Sequence, residues 1–594
     1  MKSKYRTEPS DSTSLPTGIP YIIGNEVAER FSFYGMKAIL VIFMTQHLRT
    51  ATGQSDVMGH EEATAYYHLF VSTVYFFPLL GALISDVWLG KYRTIIFLSI
   101  VYCAGHFALA IRETRDGLAI GLVLIALGSG GIKPCVTAHV GDQFGSGNRH
   151  WLANIYGWFY VSINVGAFTS MIATPVLLNL YGPNVAFGVP GILMVIATIF
   201  FWAGRNRFVH VPAGGWGAIR EAFSRDGLVA LFNIGIIFTF VAVFFSLYDQ
   251  SGSAWVLQAT RMDRHLIFEW LPSQISAINP ALILICVPLF DYVLYPALEP
   301  IFKMTALRRI GIGMVVIAVS FSIAALIESR ITGGQVIKSP AADSASSLIN
   351  LIDGESTVWV IDEEAEGGPE FVLRLRERSS WSIEQVVVNA PKETDLQTFE
   401  VLVGATKRVE AMESVGQLAQ QPGGAWQVSF SARSAQYVAI RSEKSVDGLA
   451  IEEIQVIASE AAPPAGAHDD AAAVWPNVVA TGKRPNIIWQ LLAYIFLTAA
   501  EVMVSVTCLE FAYTQTPKKM KSIVMSMYLA AMAAGNGVTS LVNLFIQNED
   551  GEVSLEGASY YWFFTKVVLV AAVVYVPVAL LYRGRDYTID EKEK

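Results

Sequence analysis

Long apolar runs separated by short polar breaks dominate the chain from Ile19 onward. A helix rises 1.5 Å per residue, so ~20 apolar residues cross the ~30 Å hydrocarbon core of a bilayer. The runs predict twelve spanning helices near residues 20–48, 62–89, 94–111, 117–140, 150–179, 184–203, 228–259, 273–299, 307–328, 486–512, 521–547 and 558–582. One connection departs from this pattern. Between the ninth and tenth runs the chain is mostly polar, with short alternations of apolar and polar positions, the period of strands with one buried face. These alternations are Thr357–Asp362, Glu370–Arg376, Glu384–Asn389, Phe399–Gly404, Trp426–Ser431, Gln436–Ser442 and Ile451–Ala458. Turn-rich breaks separate them, which predicts an all-β sandwich.

The expected fold is therefore an all-α polytopic membrane protein with an inserted all-β domain. Its divisions are a tail (1–19), a six-helix bundle (20–204), a linker (205–227), helices 7–9 (228–328), the β insert with its linker (329–485), helices 10–12 (486–583) and a second tail (584–594). Twelve helices split six and six suggest a major-facilitator bundle whose halves rock around a central site. The insert ends in the linker Ala461–Gly466, which contains Pro463 and Pro464.

Composition agrees with the pattern: 53% of the 594 residues are hydrophobic and 16% charged, with mean hydropathy +0.43. That is too apolar for a soluble enzyme of this length. The net charge of −9 comes with no basic tract, so a nucleic-acid partner is not expected. Cationic residues sort to alternate loops: Lys91 and Arg93; Arg149; Arg205, Arg207 and Arg220; Lys303, Arg308 and Arg309; Lys518, Lys519 and Lys521. The opposite loops are neutral or acidic, as at Asn548–Glu552. The positive-inside rule then puts both termini in the cytoplasm and the β insert on the outer side of an inner (cytoplasmic) membrane. The first 18 residues are polar, so no cleavable signal peptide is expected and helix 1 serves as the insertion signal. The insert holds no Asn-x-Ser/Thr sequon and no cysteine; Cys103, Cys135, Cys286 and Cys508 all lie in apolar segments and read as packing residues.

Charges inside the apolar runs carry the chemistry. Helix 1 holds Glu26, Glu29 and Arg30 within five residues. At 3.6 residues per turn all three share one face, where Arg30 can pair with either carboxylate. A charge at bilayer depth costs roughly 2.5–3.5 kcal/mol on translocon scales, so such groups face an internal path or another charge. Lys133 lies beside Pro134 in a Gly-rich run of helix 4, and Glu501 lies within helix 10. Each could also be a structural ion pair between helices.

The motifs around these charges resemble, in order and over the whole membrane part, those of the proton-dependent oligopeptide transporter family. They are Glu26-x-x-Glu29-Arg30-Phe31-x-x-Tyr34-Gly35, the run Gly81 to Lys91 with Asp86 and Gly90, Gly130 to Cys135 through Gly141 to Phe144, Phe159-Tyr160 to Asn164 and Gly166, and Glu501 to Phe511. The likeness extends to the animal-type branch, which carries a β domain between helices 9 and 10.

What the resemblance implies is a symporter of di- and tripeptides, and of peptide-like drugs, with the proton as coupling ion and no other cofactor or metal. A di- or tripeptide is a zwitterion, so the site needs a charge at each end. Arg30 and Lys133 would offer the cationic pole, sharing one carboxylate through a planar fork and a point charge, and Glu501 the anionic pole. Tyr34, Tyr75, Tyr160, Asn164, Asn279, Tyr494 and Tyr528 match pocket positions, although a membrane Tyr or Asn serves equally as an interhelical hydrogen bond or interfacial anchor. Glu26, Glu29, Arg30 and His68 would handle the proton; an imidazole with an ordinary pKa near 6.5 suits that task. Asp86, Lys91 and Arg93 would gate by exchanging salt bridges.

Three positions depart from the family pattern. Asp291 matches a carboxylate that pairs with a basic residue of helix 7, yet Ala230 to Gln258 contains no Arg or Lys, and Asn233 stands near that place. Phe33 replaces the first tyrosine of a Tyr-Tyr pair, and Ser246 a pocket tryptophan, which would alter one side-chain subsite. The strands Ala435–Ser442 and Ile451–Ile457 look like the closing strands of discoidin-like sandwiches, a fold that serves many functions. Carriers of nitrate or other metabolites in the same family are the nearest alternative reading. A sensing protein with a passive bundle would not need buried charges in helices 1, 4 and 10. An enzyme would need a nucleophile motif, metal spacing or phosphate loop that the sequence does not contain.

Overall fold

The computed structural model describes residues 5–9, 12–213, 215, 225–266, 268–331, 335–338, 359–360, 370–375, 381–391, 394–406, 408–421, 424–442, 450–451, 453–458, 485–515, 521–546, 554–555 and 557–582. Among these, nine helical stretches are long and apolar enough to cross a membrane. One of them, Arg149–Asn206, breaks at Gly182 (φ 78°, ψ −179°), a backbone position that glycine adopts without strain, and Pro183 then opens the next helix. Two more long helices, Ile19–Gln46 with its embedded charges and the Ala-, Ser- and Asn-rich Lys521–Phe545, complete twelve.

The spans are α1 (Ile19–Gln46), α2 (His60–Leu89), α3 (Lys91–Ile111), α4 (Arg115–Asp142), α5 (152–181), α6 (183–203), α7 (Leu231–Thr260), α8 (Pro272–Leu298), α9 (Ala306–Ile331), α10 (Ile488–Ala512), α11 (Lys521–Phe545) and α12 (Ala558–Leu581). They form the twelve-helix major-facilitator bundle that the apolar runs predict. Alternate helices run in opposite directions, and the end where α1, α3 and α5 finish is called distal below.

Chain contacts divide the molecule into two compact units, Met1–Ala259 with Arg264–Ala325 and Ile488–Lys594, and Thr260–Asp263 with Leu326–Ile487. Within the first, α1 packs on α5, α3 on α4, and α11 on both α2 and α7. Small residues set the closest approaches. A Cβ added to Gly81 of α2 would lie 2.2 Å from the Gly131 carbonyl of α4, and one added to Gly128 would lie 2.5 Å from the Tyr102 Cβ of α3. Such close backbones bring α4, with Lys133, against α2.

Three spans contain a wider turn with i→i+5 spacing: Ser85–Leu89 in α2, Phe290–Leu294 in α8 and Val502–Val506 in α10. Wide turns of this kind recur at functional positions. They fall at Asp86, at Asp291 and directly after Glu501.

The second unit contains the β insert. Its strands are β1 (Gln335–Lys338), β2 (Trp359–Val360), β3 (Glu370–Arg374), β4 (Trp381–Asn389), β5 (Glu400–Gly404), β6 (Glu413–Gln417), β7 (Ala419–Gln420), β8 (Trp426–Ala435), β9 (Tyr437–Arg441), β10 (Ala450–Ile451) and β11 (Glu453–Ala458). One sheet has the order β1-β3-β9-β5-β6, the other β11-β4-β8-β7, with β10 and β2 as a separate pair. Phe371, Leu373, Val401, Val438 and Ile440 of the first sheet share a core with Ile383, Val386, Val388, Ile454 and Val456 of the second. This is the expected sandwich, held by apolar burial without a disulfide.

Strands β1, β6 and β7 lie outside the alternating runs. The residues of β6 are half-buried or exposed and include Gly416 at φ 137°, so no apolar alternation marks it. Linker 461–466, the acidic loop 548–552, Lys518, Lys519, the tail 584–594 and residues 214 and 216–224 of the basic linker, Arg220 among them, lie outside the described residues.

Gly81→Val should lower the thermal unfolding midpoint in detergent, because overpacking a tight contact costs about 1–3 kcal/mol. Gly157→Ala, where an added Cβ meets nothing within 4 Å, should not lower it. Equal melting of both variants would contradict the close α2–α4 approach.

Candidate functional site

The charges of α1 are sealed inside the bundle. Arg30 is 3% exposed, and its Nε lies 3.0 Å from Glu26 Oε1 and 2.5 Å from Glu29 Oε2. The guanidinium is thus held by both carboxylates at once. From α4, the Ser129 hydroxyl donates to Glu29 Oε1 at 3.1 Å. Lys133, one turn further along α4, stands over the Tyr75 ring of α2, with Nζ 4.8 Å from its centroid, a cation–π contact that offers a desolvated ammonium a partial partner. Lys133 is also in electrostatic contact with Arg30, Glu29 and Glu26.

The opposite half supplies a single carboxylate. Glu501 Oε2 accepts from Asn279 Nδ2 of α8 at 2.8 Å, and the same amide reaches Thr498 Oγ1 at 3.1 Å. The Tyr248 hydroxyl of α7 donates to Asn279 Oδ1 at 3.3 Å. Tyr34 interacts electrostatically with Arg30 and with Glu501, and Tyr160 interacts with Glu501 and Tyr34. Tyr34 is therefore within electrostatic range of both the cationic and the anionic groups.

A second polar network joins the halves closer to the distal end. Lys37 Nζ of α1 pairs with Asp249 Oδ1 of α7 at 2.9 Å, with both side chains nearly buried. Asn536 Nδ2 of α11 donates to the other Asp249 oxygen at 2.8 Å, and its Oδ1 meets His68 Nδ1 of α2 at 2.8 Å. His68 Nε2 in turn lies 2.9 Å from Ser253 Oγ. Further interbundle bonds run from Ser72 to Ala533 O, from Ser540 to Ala65 O and from Gln274 to Ile172 O. Gly252 leaves room for the Tyr67 hydroxyl, which would lie 1.9 Å from an added Cβ. The halves are locked together in this region, so the bundle is closed distally.

The remaining sequence-selected residues are more dispersed. Tyr494 is fully buried, donates to Ser251 O at 2.9 Å and meets Trp255 edge-on. Tyr528 is buried against Phe238 and Phe245 and in electrostatic contact with Glu501. Asn164 donates back to Tyr160 O at 2.9 Å. Lys91 pairs with Asp142 of α4 at 2.7 Å, Asp86 accepts from Ser85, and exposed Arg93 is in electrostatic range of His210. Asp291 is exposed and makes none of the ion pairs among the described residues. Asn233 and Ser246 bring no cation to it; Ser246 donates to Val243 O within its own helix.

Sequence reasoning missed Lys37, Asp249, Asn536, Ser253, Ser129 and Tyr248. The signal for the first two was present, since each is an isolated charge in an apolar run, the same feature that marks Glu26. Helix 7 contains no Lys or Arg, and Asp249 is its single charge. The neutral hydrogen-bonding residues carry no such mark.

Two helical halves closed at one end around buried charges of both signs define a secondary transporter of the major-facilitator class. The chain belongs to the POT family, the proton-dependent oligopeptide transporters, whose model matches residues 92–224, 221–367 and 460–563. Peptide transporter family 1 of Drosophila melanogaster is 30% identical, over 97% of this chain and 89% of its own length. Solute carrier family 15 member 2 of Mus musculus is 31% identical, over 90% of this chain and 86% of its own. The crystal structure of an auto inhibited POT family peptide transporter aligns with a TM-score of 0.64 at 27% identity, covering 96% of this chain and 98% of that one.

Asp249→Asn should weaken distal closure, because an unpaired buried cation costs about 3–5 kcal/mol. Spin labels at Thr52 and Glu269 should report a longer distance distribution. Adding Lys37→Met in an Asp249→Leu background should restore the short one. Unchanged distances in Asp249→Asn would show that this pair does not hold the closed state.

Proposed function

We propose that the chain is a proton-coupled symporter that imports di- and tripeptides by alternating access. The observation that carries this reading is the pair of opposite charge poles within one bundle: Arg30 and Lys133 on one side, Glu501 on the other, with Tyr34 in electrostatic contact with Arg30 and Glu501. A zwitterionic peptide satisfies both poles, and a bare anion only one. The name of the Drosophila relative, peptide transporter family 1, points the same way.

Arg30 is the coupling element. It is the counter-charge of Glu26 and Glu29. A substrate carboxylate that draws the guanidinium away takes that counter-charge from them, which ties peptide binding to the proton. The distal network of Lys37, Asp249, Asn536 and His68 acts as the outer gate, and protonation of His68 would remove one of its acceptors. Lys91, Asp142, Asp86 and Arg93 form the opposing gate.

Cationic loops at the proximal end support an orientation with both termini in the cytoplasm and the β insert outside the cytoplasmic membrane. Tyr75, Tyr160, Asn164, Asn279, Tyr494 and Tyr528 are assigned to the cavity or its immediate support.

Labelled dialanine should enter proteoliposomes several times faster with an inward proton gradient than without one. Uptake of another substrate by the same vesicles, with no dialanine entry, would refute peptide transport. Glu501→Gln should cost about 10–100-fold in kcat/KM for dialanine, the worth of roughly 1.5–3 kcal/mol for a hydrogen bond to a charged group. N-acetyl-dialanine should lose much less. An equal loss for both would remove Glu501 from the amino-terminal subsite.

A further inference from the structure

His106 of α3 plays no part in the site described above, yet it is fully buried and neither ring nitrogen has a hydrogen-bond partner among the described residues. Its ring stacks on Tyr102, with centroids 5.0 Å apart and planes at 29°. Tyr102 is fully buried as well, and its hydroxyl lies within reach of Ser129, the residue that donates to Glu29. Buried polar groups in native folds nearly always have a protein or water partner. An imidazole with two unpaired ring nitrogens, stacked on a buried phenol, therefore marks a place built to hold water.

The position of the pair gives that water a direction. Tyr102 interacts electrostatically with Glu29 and Arg30, and Ser129, next to the Gly128 against which Tyr102 packs, donates to Glu29. His106 lies one helical turn beyond Tyr102, about 6 Å nearer the distal end of α3. Facing it are Gly121–Ser129 of α4 and Gly191–Thr198 of α6, neither of which carries an ionisable residue. A Cβ added to Gly191 would lie 3.0 Å from the His106 Cβ, so α6 closes directly over the imidazole. The ionisable groups around it are Tyr102 and Cys103 on its own helix, with Glu29 and Arg30 of α1 beyond Tyr102. The line His106–Tyr102–Glu29 thus runs inside the first six helices and avoids the cavity between the halves.

We propose that His106 and Tyr102 form a hydrated branch that carries the coupled proton from the distal end of α3 to Glu29. Hydronium from the outer solution gives a proton to one ring nitrogen, and the opposite nitrogen releases its own to water beside the Tyr102 hydroxyl. The hydroxyl passes a proton on as it accepts one, and an O–H bond forms on the Glu29 carboxylate. Only a proton moves, and tautomer exchange resets the imidazole. This branch lets Glu29 be protonated while peptide occupies the central cavity.

The inference rests on the proton-symport reading, and one set of proteoliposomes separates the two. Wild-type protein is measured for dialanine accumulation under an inward proton gradient and for dialanine counterflow at equal pH. If the wild type shows counterflow without gradient-driven accumulation, the symport reading fails before the branch is tested. Given a responsive wild type, His106→Gln, which keeps a polar side chain but cannot relay, should lose gradient-driven accumulation about tenfold and keep counterflow within threefold. Tyr102→Phe should shift the same way. His106→Gln with wild-type accumulation and pH profile overturns the branch. Parallel loss of both activities in His106→Gln also overturns it, in favour of a packing role. His106→Leu adds a folding readout: a raised thermal midpoint with lost accumulation fits a hydrated polar site given up for apolar packing, whereas retained accumulation contradicts the relay.

Discussion

An ion inside a bilayer is tolerated only where another charge meets it, and Arg30 is where this chain satisfies that constraint. One guanidinium holds two carboxylates of its own helix, at i−1 and i−4, without help from a distant element. The ion pairs of the cluster are therefore complete within α1 itself. Because α1 must stay shielded from lipid along this face, α4 and α5 are drawn against it. Gly166 lets α5 approach so closely that an added Cβ would lie 2.7 Å from Val27 O and 3.0 Å from Arg30 Cβ.

From that constraint the bundle acquires two polar layers with different tasks. The middle layer is intrabundle on each side: Glu26–Glu29–Arg30–Ser129 in the first six helices, and Glu501–Asn279–Tyr248 in the last six. Neither set bonds to the other, so each half keeps its own charges satisfied when the halves separate. The distal layer does the reverse. Lys37–Asp249 and His68–Asn536 cross between the halves, so their bonds exist only in the closed arrangement. Breaking a contact between buried charges is costly unless water enters around both partners.

The number and order of the spanning helices were legible in the sequence because lipid imposes a long, simple code. Helices 5 and 6 were separable in the sequence, and the backbone breaks between them at Gly182, just before Pro183. The strands with an alternating apolar face were legible too, and β1, β6 and β7 were not, since edge strands need no buried face. In the site, charges in apolar sequence were readable one by one. Their pairing was not. That Lys37 meets Asp249, 212 residues away, and that Asn536 bridges Asp249 to His68, follows from helix packing that no local pattern encodes. Asp291, whose basic partner the sequence put in doubt, is exposed and makes no ion pair among the described residues, while Asp249 pairs with Lys37 across the halves.

Coupling of a buried charge cluster to a proton gradient is the central claim, and its most direct test is thermodynamic rather than kinetic. Steady-state dialanine accumulation in proteoliposomes should rise tenfold or more for each unit of inward pH difference at zero membrane potential, and collapse to equality when a protonophore is added. An inside-to-outside ratio that stays at one across imposed gradients, in vesicles that exchange dialanine freely, would contradict the account.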